Sequence, residues 1–452
     1  MDKKILIVCN YFAPENTIAA VRTSNLAKFF SEEGYAVDFV TERKKIKIID
    51  NSLLDGLSQV HVYYLENGIF CKKVHNFYDN ITKKARKKRM SCLNNREKIN
   101  PKTGNIEFYP FETAYPVMGS FDYLIEQYRQ KNLAKNIMQV TNNKEYDYMI
   151  TSYGDSFAFF CGRTYKRKHR NTYWIFDIRD AIYRYKFTPD YVKWIPLSYE
   201  KYIWKNADAI VGVSKGICNR VSRKYSNKVS CITNGYDKDI SNLTSERMLE
   251  DKMTFVYTGS MYGGLQNLSD FFEVVDRLVN CKQIDREKLA FIYAGNESAY
   301  YIFRGQAEKY NLDNQCVYYG KINRQSAIEL QKKSDILLMA SYDYKDNNGG
   351  VITGKLFEYM ASQKPVIAIV TGDGINSEVS QIISDTRIGI CIEKAAGEEK
   401  KQLLSDYIIK QYNHFINREP IEYNPNIAEV QKYDYKNISK KYLKLIEDMK
   451  RR

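Results

Sequence analysis

The 452-residue chain is poor in the residues that build metal centres and disulfide frameworks. Its four histidines, His61, His75, His169 and His414, stand far apart without ligand spacing, which argues against a metal site built on histidine. Nine cysteines are dispersed without one CxxC pair, and several (Cys9, Cys231, Cys316) sit inside apolar runs. An odd, scattered set fits reduced core thiols better than disulfides or zinc. No apolar run approaches the ~18 residues that a spanning helix needs. The N-terminal Ile5-Leu6-Ile7-Val8-Cys9 is too short for a signal peptide and lacks a small-residue cleavage site. It reads as a strand, and the chain is expected in the cytoplasm. No G-x-G-x-x-G follows this strand, and no acidic residue clearly closes the next one, which counts against a Rossmann oxidoreductase. A DxD pair at a strand end is also missing, since Asp343-Tyr344-Lys345-Asp346 has the wrong spacing.

What is present is a soluble composition, 44% hydrophobic and 27% charged, in a length that suits two or three domains. Short apolar strands alternate with helical stretches from end to end, the pattern of parallel α/β sheets. The first half offers strands over 5–9, 37–41, 60–64, 148–151, 174–177, 209–213 and 229–233. The second half offers 254–258, 289–294, 317–319, 336–339, 366–369 and 389–392. Two such series predict two Rossmann-like, doubly wound domains facing a central cleft, with ligands at the strand C-terminal edges. The first domain is expected over 1–240, interrupted by a polar, basic, tyrosine-rich insertion at about 67–132. The second is expected over 250–430. Residues 431–452 carry Tyr442, Leu443, Leu445 and Ile446 at helical spacing and should pack back on the first domain.

The net charge of +15 is concentrated in places. Lys83-Lys84-Ala85-Arg86-Lys87-Lys88-Arg89 sets six cations in seven residues, and Lys166-Arg167-Lys168-His169-Arg170 forms a second cluster. No zinc finger, RNP-type strand or helix-turn-helix accompanies them, so nucleic acid is not expected as a partner. A solvated basic helix and an anionic membrane surface both remain open for the Lys83–Arg89 run.

The most informative segment is Gly349-Gly350-Val351-Ile352-Thr353-Gly354-Lys355-Leu356-Phe357-Glu358-Tyr359-Met360, followed by Lys364-Pro365-Val366-Ile367. A glycine-rich loop that feeds a helix N-terminus presents backbone N–H groups and a positive dipole end, which suits a diphosphate. Thr353 is the expected N-cap. Lys355 adds a point charge, and Glu358, on the same helix face, can accept two hydrogen bonds from a ribose cis-diol. A capped helix with a solvated Lys/Glu pair is the plain alternative.

Several segments, in order and over nearly the whole length, make the chain similar to family 4 glycosyltransferases of the bacterial surface-polysaccharide type. They are Tyr11-Phe12-Ala13-Pro14-Glu15, Asp177-Ile178-Arg179-Asp180, the run Ala207–Ser214 leading to Thr233-Asn234-Gly235-Tyr236-Asp237, Tyr257-Thr258-Gly259-Ser260, and Lys355–Met360 with Lys364–Ile367. The resemblance implies the GT-B fold, a nucleotide-diphosphate sugar as donor, a glycan or lipid-linked acceptor, retention of anomeric configuration, and neither cofactor nor metal.

By the same resemblance, Asp180 and Lys355 are the catalytic candidates. Glu358 would hold the donor ribose. Lys355, Gly259, Ser260, Thr353 and Leu356, with the loop Asn348, Gly349 and Gly350, would meet the diphosphate and sugar. Gly320, Lys321 and Ile322 stand where the family contacts the base. On the acceptor side stand Asn16, Thr17, Arg22, Ser152, Tyr153 and Arg179. The chain departs from the family where Gly350 replaces the first of two glutamates, and where Met261–Gln266 lacks the usual basic pair. Lys355, with Arg304, must then carry more of the diphosphate charge. A catalytically inactive GT-B subunit, a GT-B epimerase and an oxidoreductase are the competing readings.

Overall fold

The computed structural model describes residues 3–46, 48–94, 98–99, 106–107, 115–184, 187–237, 246–261, 265–344 and 351–451, without the side chains of 90–94, 98–99 and 106–107. The chain divides into two compact units. One is Met1–Thr233 with Ser439–Arg452, and the other is Asn234–Ile438. The C-terminal helix Tyr435–Arg451 therefore contributes to both.

The first unit is built on a seven-stranded sheet of order β3-β2-β1-β6-β7-β8-β9. Its strands are β1 (Lys4–Val8), β2 (Ala36–Glu42), β3 (His61–Leu65), β6 (Tyr148–Tyr153), β7 (Tyr173–Ile178), β8 (Ala209–Gly212) and β9 (Val229–Cys231). Every pairing is parallel. The second unit repeats the plan with six strands in the order β12-β11-β10-β13-β14-β15. These are β10 (Met253–Thr258), β11 (Leu289–Ala294), β12 (Cys316–Gly320), β13 (Ile336–Tyr342), β14 (Val366–Thr371) and β15 (Gly389–Glu393). Helices cover both faces, so the strands read as nearly unbroken apolar runs. In β10, Met253, Phe255 and Tyr257 enter one core while Val256 enters the other. Each sheet reverses its winding beside its first strand, at β1/β6 and at β10/β13, where doubly wound folds leave a crevice.

Between β3 and β6 the alternation is broken by a helix, Ile69–Asn94, a minimal hairpin of β4 (Lys98–Ile99) and β5 (Ile106–Glu107), and a second helix, Pro116–Lys135. Among the described residues, the span expected as an insertion, about 67–132, holds these two helices and the hairpin. The first helix runs Ile18–Glu32, and the Thr17 hydroxyl caps it by accepting from Ala20 N at 3.1 Å. One local expectation changes. Cys231 is exposed, since it closes the edge strand β9 and not an inner one. Among the described residues no helix is long and apolar enough to cross a membrane.

Candidate functional site

At the carboxyl end of β10 the backbone turns sharply at Gly259, with φ +90°, a conformation that favours glycine. Its N–H donates to Ala294 O at 2.7 Å and its carbonyl accepts from the Tyr293 hydroxyl at 2.6 Å. A side chain here would also meet Lys355, whose Cε lies 2.9 Å from the position of a Cβ. Gly295 follows β11 in the same way, and a Cβ on it would fall 2.4 Å from Gly259 O. Its N–H reaches Gly320 O, 2.9 Å away, at the end of β12. Backbone hydrogen bonds thereby link three strand ends, with the Tyr293 hydroxyl adding a side-chain bond.

Lys355 crosses to this turn from the helix Gly354–Ser362. Its ammonium donates to Ser260 O at 2.8 Å and sits 5.2 Å from the centre of the Tyr257 ring. That ring stacks on Tyr293, with centroids 5.5 Å apart. Among the described residues this is the one hydrogen bond of the ammonium, so two of its three donors remain for a ligand. Burial pulls the Lys355 ammonium down to about 8, and the nearby Glu358 carboxylate opposes that fall. Half-buried at this turn, the ammonium is a charge partly withdrawn from water and set toward an incoming anion. Thr353 occupies the N-cap position, but its hydroxyl turns to Met339 Sδ instead of capping the helix. The first turn is therefore open to an anion.

Glu358 lies one turn further on, held by the Gln331 amide. The Gln331 Nε2 also donates to Thr258 Oγ1 at 2.9 Å, and its Oε1 accepts from Ser362 at 2.7 Å. The Tyr359 hydroxyl accepts from Thr258 N at 3.2 Å. This buried network fixes the Glu358 carboxylate relative to the β10 turn. Gln331 and Gly295 escaped the sequence reading. Gly295 had a signal, a glycine closing an apolar strand, whereas Gln331 looks like any polar residue on a helix.

Other donor-side expectations shift. The Leu356 side chain is fully buried in the core, so only its backbone belongs to the helix start. Lys321 is exposed and Ile322 packs against the core, while Gly320 keeps a left-handed φ of +80°. Arg304 pairs with Asp313 at 3.0 Å and is not placed beside Lys355. Asn348, Gly349 and Gly350 lie outside the described residues.

In the first unit, Arg22 is a correction. Expected on the acceptor side, it is fully buried and forms a bidentate pair with Asp177, Nη2 to Oδ1 at 2.9 Å and Nε to Oδ2 at 3.1 Å. It also donates to Ile232 O, Thr233 O and the Tyr442 hydroxyl. Burial would raise the Asp177 carboxyl, but Arg22 and the Ser152 hydroxyl hold it below its ordinary value. Ser152 and Tyr153 are buried as well, and Thr17 is the helix cap described above. Asn16 is half-buried and hydrogen-bonds through its backbone to Ile48 O.

Arg179, at the end of β7, donates to Ser152 Oγ at 2.9 Å and lies over the Tyr11 ring. Gly154 makes room for it, since a Cβ there would sit 2.3 Å from Arg179 Nη2. Asp180 is exposed on that rim, 3.3 Å from Arg184. Asn10, after β1, donates to Asp155 at 2.7 Å, and Asp155 caps the next helix. Asp180 and Lys355 belong to different units.

Residues 252–406 match the family model described as glycosyl transferases group 1. An uncharacterized glycosyltransferase of Methanocaldococcus jannaschii is 23% identical over 250 residues, which is 55% of this chain and 60% of that protein. The chain thus spans less than two thirds of that curated relative. Among solved structures, the apo lipopolysaccharide outer core galactosyltransferase WaaB superposes with a TM-score of 0.56 at 12% identity, covering 98% of this chain and 99% of that one. A structure described as trehalose-6-phosphate from E. coli bound with UDP-2-fluoro glucose gives 0.58 at 10% identity, covering 99% of each. The two parallel α/β domains therefore have the GT-B fold, and within the second the span 252–406 is similar to group 1 glycosyl transferases.

Proposed function

We propose that this protein is a retaining, metal-independent hexosyltransferase of the family 4 type. It moves a sugar from a nucleotide-diphosphate donor to a glycan or lipid-linked acceptor in surface-polysaccharide synthesis. The observation that carries the reading is the meeting of the Gly259–Ser260 turn, Lys355 and the open helix start at Gly354, all inside the segment that matches the transferase family.

When the bond between the sugar C1 and the β-phosphate oxygen breaks, negative charge grows on the departing diphosphate. Lys355 and the helix N–H groups stabilise that charge more as it develops, which lowers the barrier. The acceptor oxygen forms the new bond on the face the diphosphate leaves, and a diphosphate oxygen takes the acceptor proton. Configuration is retained, and no side-chain base is required. Glu358 binds the ribose cis-diol and orients the nucleotide.

The test is a thermal-shift panel of UDP-, GDP- and dTDP-linked sugars, followed by turnover with and without EDTA. One donor class should raise the midpoint by mass action, and its hydrolysis or transfer should survive chelation. Loss of turnover on chelation, restored by magnesium or manganese, overturns the metal-independent assignment. Binding without any transfer or hydrolysis favours the second reading, an inactive GT-B subunit, which Gly350 in place of the first family glutamate supports.

A further inference from the structure

The helical pair between β3 and β6 carries apolar side chains that the core does not use. On Ile69–Asn94, Phe70, Phe77 and Ile81 are 72%, 68% and 60% exposed. At 100° per residue these three fall within an arc of roughly 40°. On Pro116–Lys135, Val117, Phe121 and Leu124 are exposed too, within an arc of roughly 60°. Isolated exposed apolar residues are ordinary, but two stripes at helical spacing are not.

The stripes face the same side. Tyr78 and Arg86 of the first helix meet Asp122 of the second, and Arg89 meets Met118 and the Tyr115 ring. Contacts that ascend one helix descend the other, so the pair is antiparallel. On both helices the contact residues lie about a third of a turn from the stripe, in the same rotational sense. In an antiparallel pair, that places both stripes on one surface.

The charge on this surface has one sign. Lys84 and Lys88 continue the line of Phe70, Phe77 and Ile81, three and seven residues beyond Ile81, and both are exposed. Of the six cations in the Lys83–Arg89 run, Arg86 and Arg89 make the contacts with the second helix, and all but Arg86 are exposed. The acids nearby are engaged by groups of the pair itself: Asp79 by His75 and Arg86, Asp122 by Arg86, and Glu126 by Arg129.

We propose that this face is a docking surface for an anionic lipid bilayer. The apolar stripes enter the headgroup boundary, and Lys84 and Lys88 meet lipid phosphates. A second copy of the chain is a poor occupant, because it would bring the same lysines against their own kind in a protein of net charge +15. The proposal is independent of the sugar-transfer chemistry, which resides in other residues.

The experiment is flotation of the full-length protein with vesicles of phosphatidylglycerol and phosphatidylcholine, or of phosphatidylcholine alone, at 0.1 and 0.5 M salt. Wild type should float with the anionic vesicles, and at least tenfold less with neutral ones or at the higher salt. A Phe77→Ser/Phe121→Ser variant should lose binding at low salt, and so should Lys84→Glu/Lys88→Glu. Circular dichroism and the nucleotide-sugar thermal shift establish that each variant is folded. A Phe77→Trp variant should show a blue-shifted emission on anionic vesicles, quenched by brominated lipid. Equal flotation of wild type and both double variants overturns the proposal. So does a dimer in sedimentation that Phe77→Ser/Phe121→Ser dissociates while wild type ignores vesicles.

Discussion

Lys355 makes the sharpest prediction, because one titration should move two observables in opposite directions. Its folded value, about 8, lies below the ordinary 10.5. If the diphosphate binds the ammonium form, affinity follows the protonated fraction, about 90% at pH 7 and about 10% at pH 9. The dissociation constant should therefore rise about tenfold across that window, which is about 1.4 kcal/mol. Near pH 8, binding should take up about half a proton, visible in calorimetry as an enthalpy that depends on the buffer. A nucleotide sugar is the right probe, since its diphosphate has no secondary ionisation there.

Stability of the ligand-free protein moves the other way. Between about 8 and 10.5 the unfolded chain keeps a proton that folded Lys355 has lost, so this residue makes stability rise with pH. Lys355→Met removes both trends and serves as the reference for other titrating groups. A dissociation constant that is flat from pH 7 to 9, or a slope that survives in Lys355→Met, refutes the assignment of Lys355 to the diphosphate.

Two substitutions separate binding from folding. Glu358→Ala should weaken nucleotide-sugar binding by about 1.5–3 kcal/mol in calorimetry, the loss of a charge-assisted pair, with a melting point close to wild type because Gln331 keeps Thr258 and Ser362. Unchanged affinity removes Glu358 from the site. Arg22→Met should cost about 3–5 kcal/mol in urea denaturation by leaving Asp177 buried without its counter-charge, and Arg22→Met/Asp177→Leu should recover much of that loss. If Arg22→Met instead leaves stability intact and reduces only acceptor affinity, Arg22 belongs to the acceptor side after all.

The strands were legible because burial on both faces writes them as short apolar blocks, and the glycines at their ends marked the β10 and β12 turns. Lys355 and Glu358 were legible because helical periodicity places them one turn apart on one face, whatever the fold. What could not be read was anything set by distant partners. Arg22 looked like a rim cation next to the first loop, but its counter-ion is 155 residues away and its phenolic partner is 420 residues away. Leu356 sits beside Lys355 in sequence, yet at 100° per residue it turns into the core with Phe357 and Met360.

The basic insertion shows the same limit from the other side. Composition revealed six cations in seven residues but not their rotation, so the two arginines that contact the second helix could not be told from the four lysines. Nor could the apolar stripes be told from core. A period of 3.6 reads alike whether the face meets a sheet or a bilayer, and exposure alone separates the two. Phe77 and Phe121 stay exposed although two aromatic-rich sheets lie in the same chain. In the second helix the opposite face packs inward, through Gly119 and Leu133, and in the first the buried Cys71 and Thr82 lie about a third of a turn from the stripe. Under the docking proposal, the phenylalanines turned outward are the part that enters the second apolar medium, and the lysines in line with them select the sign of its charge.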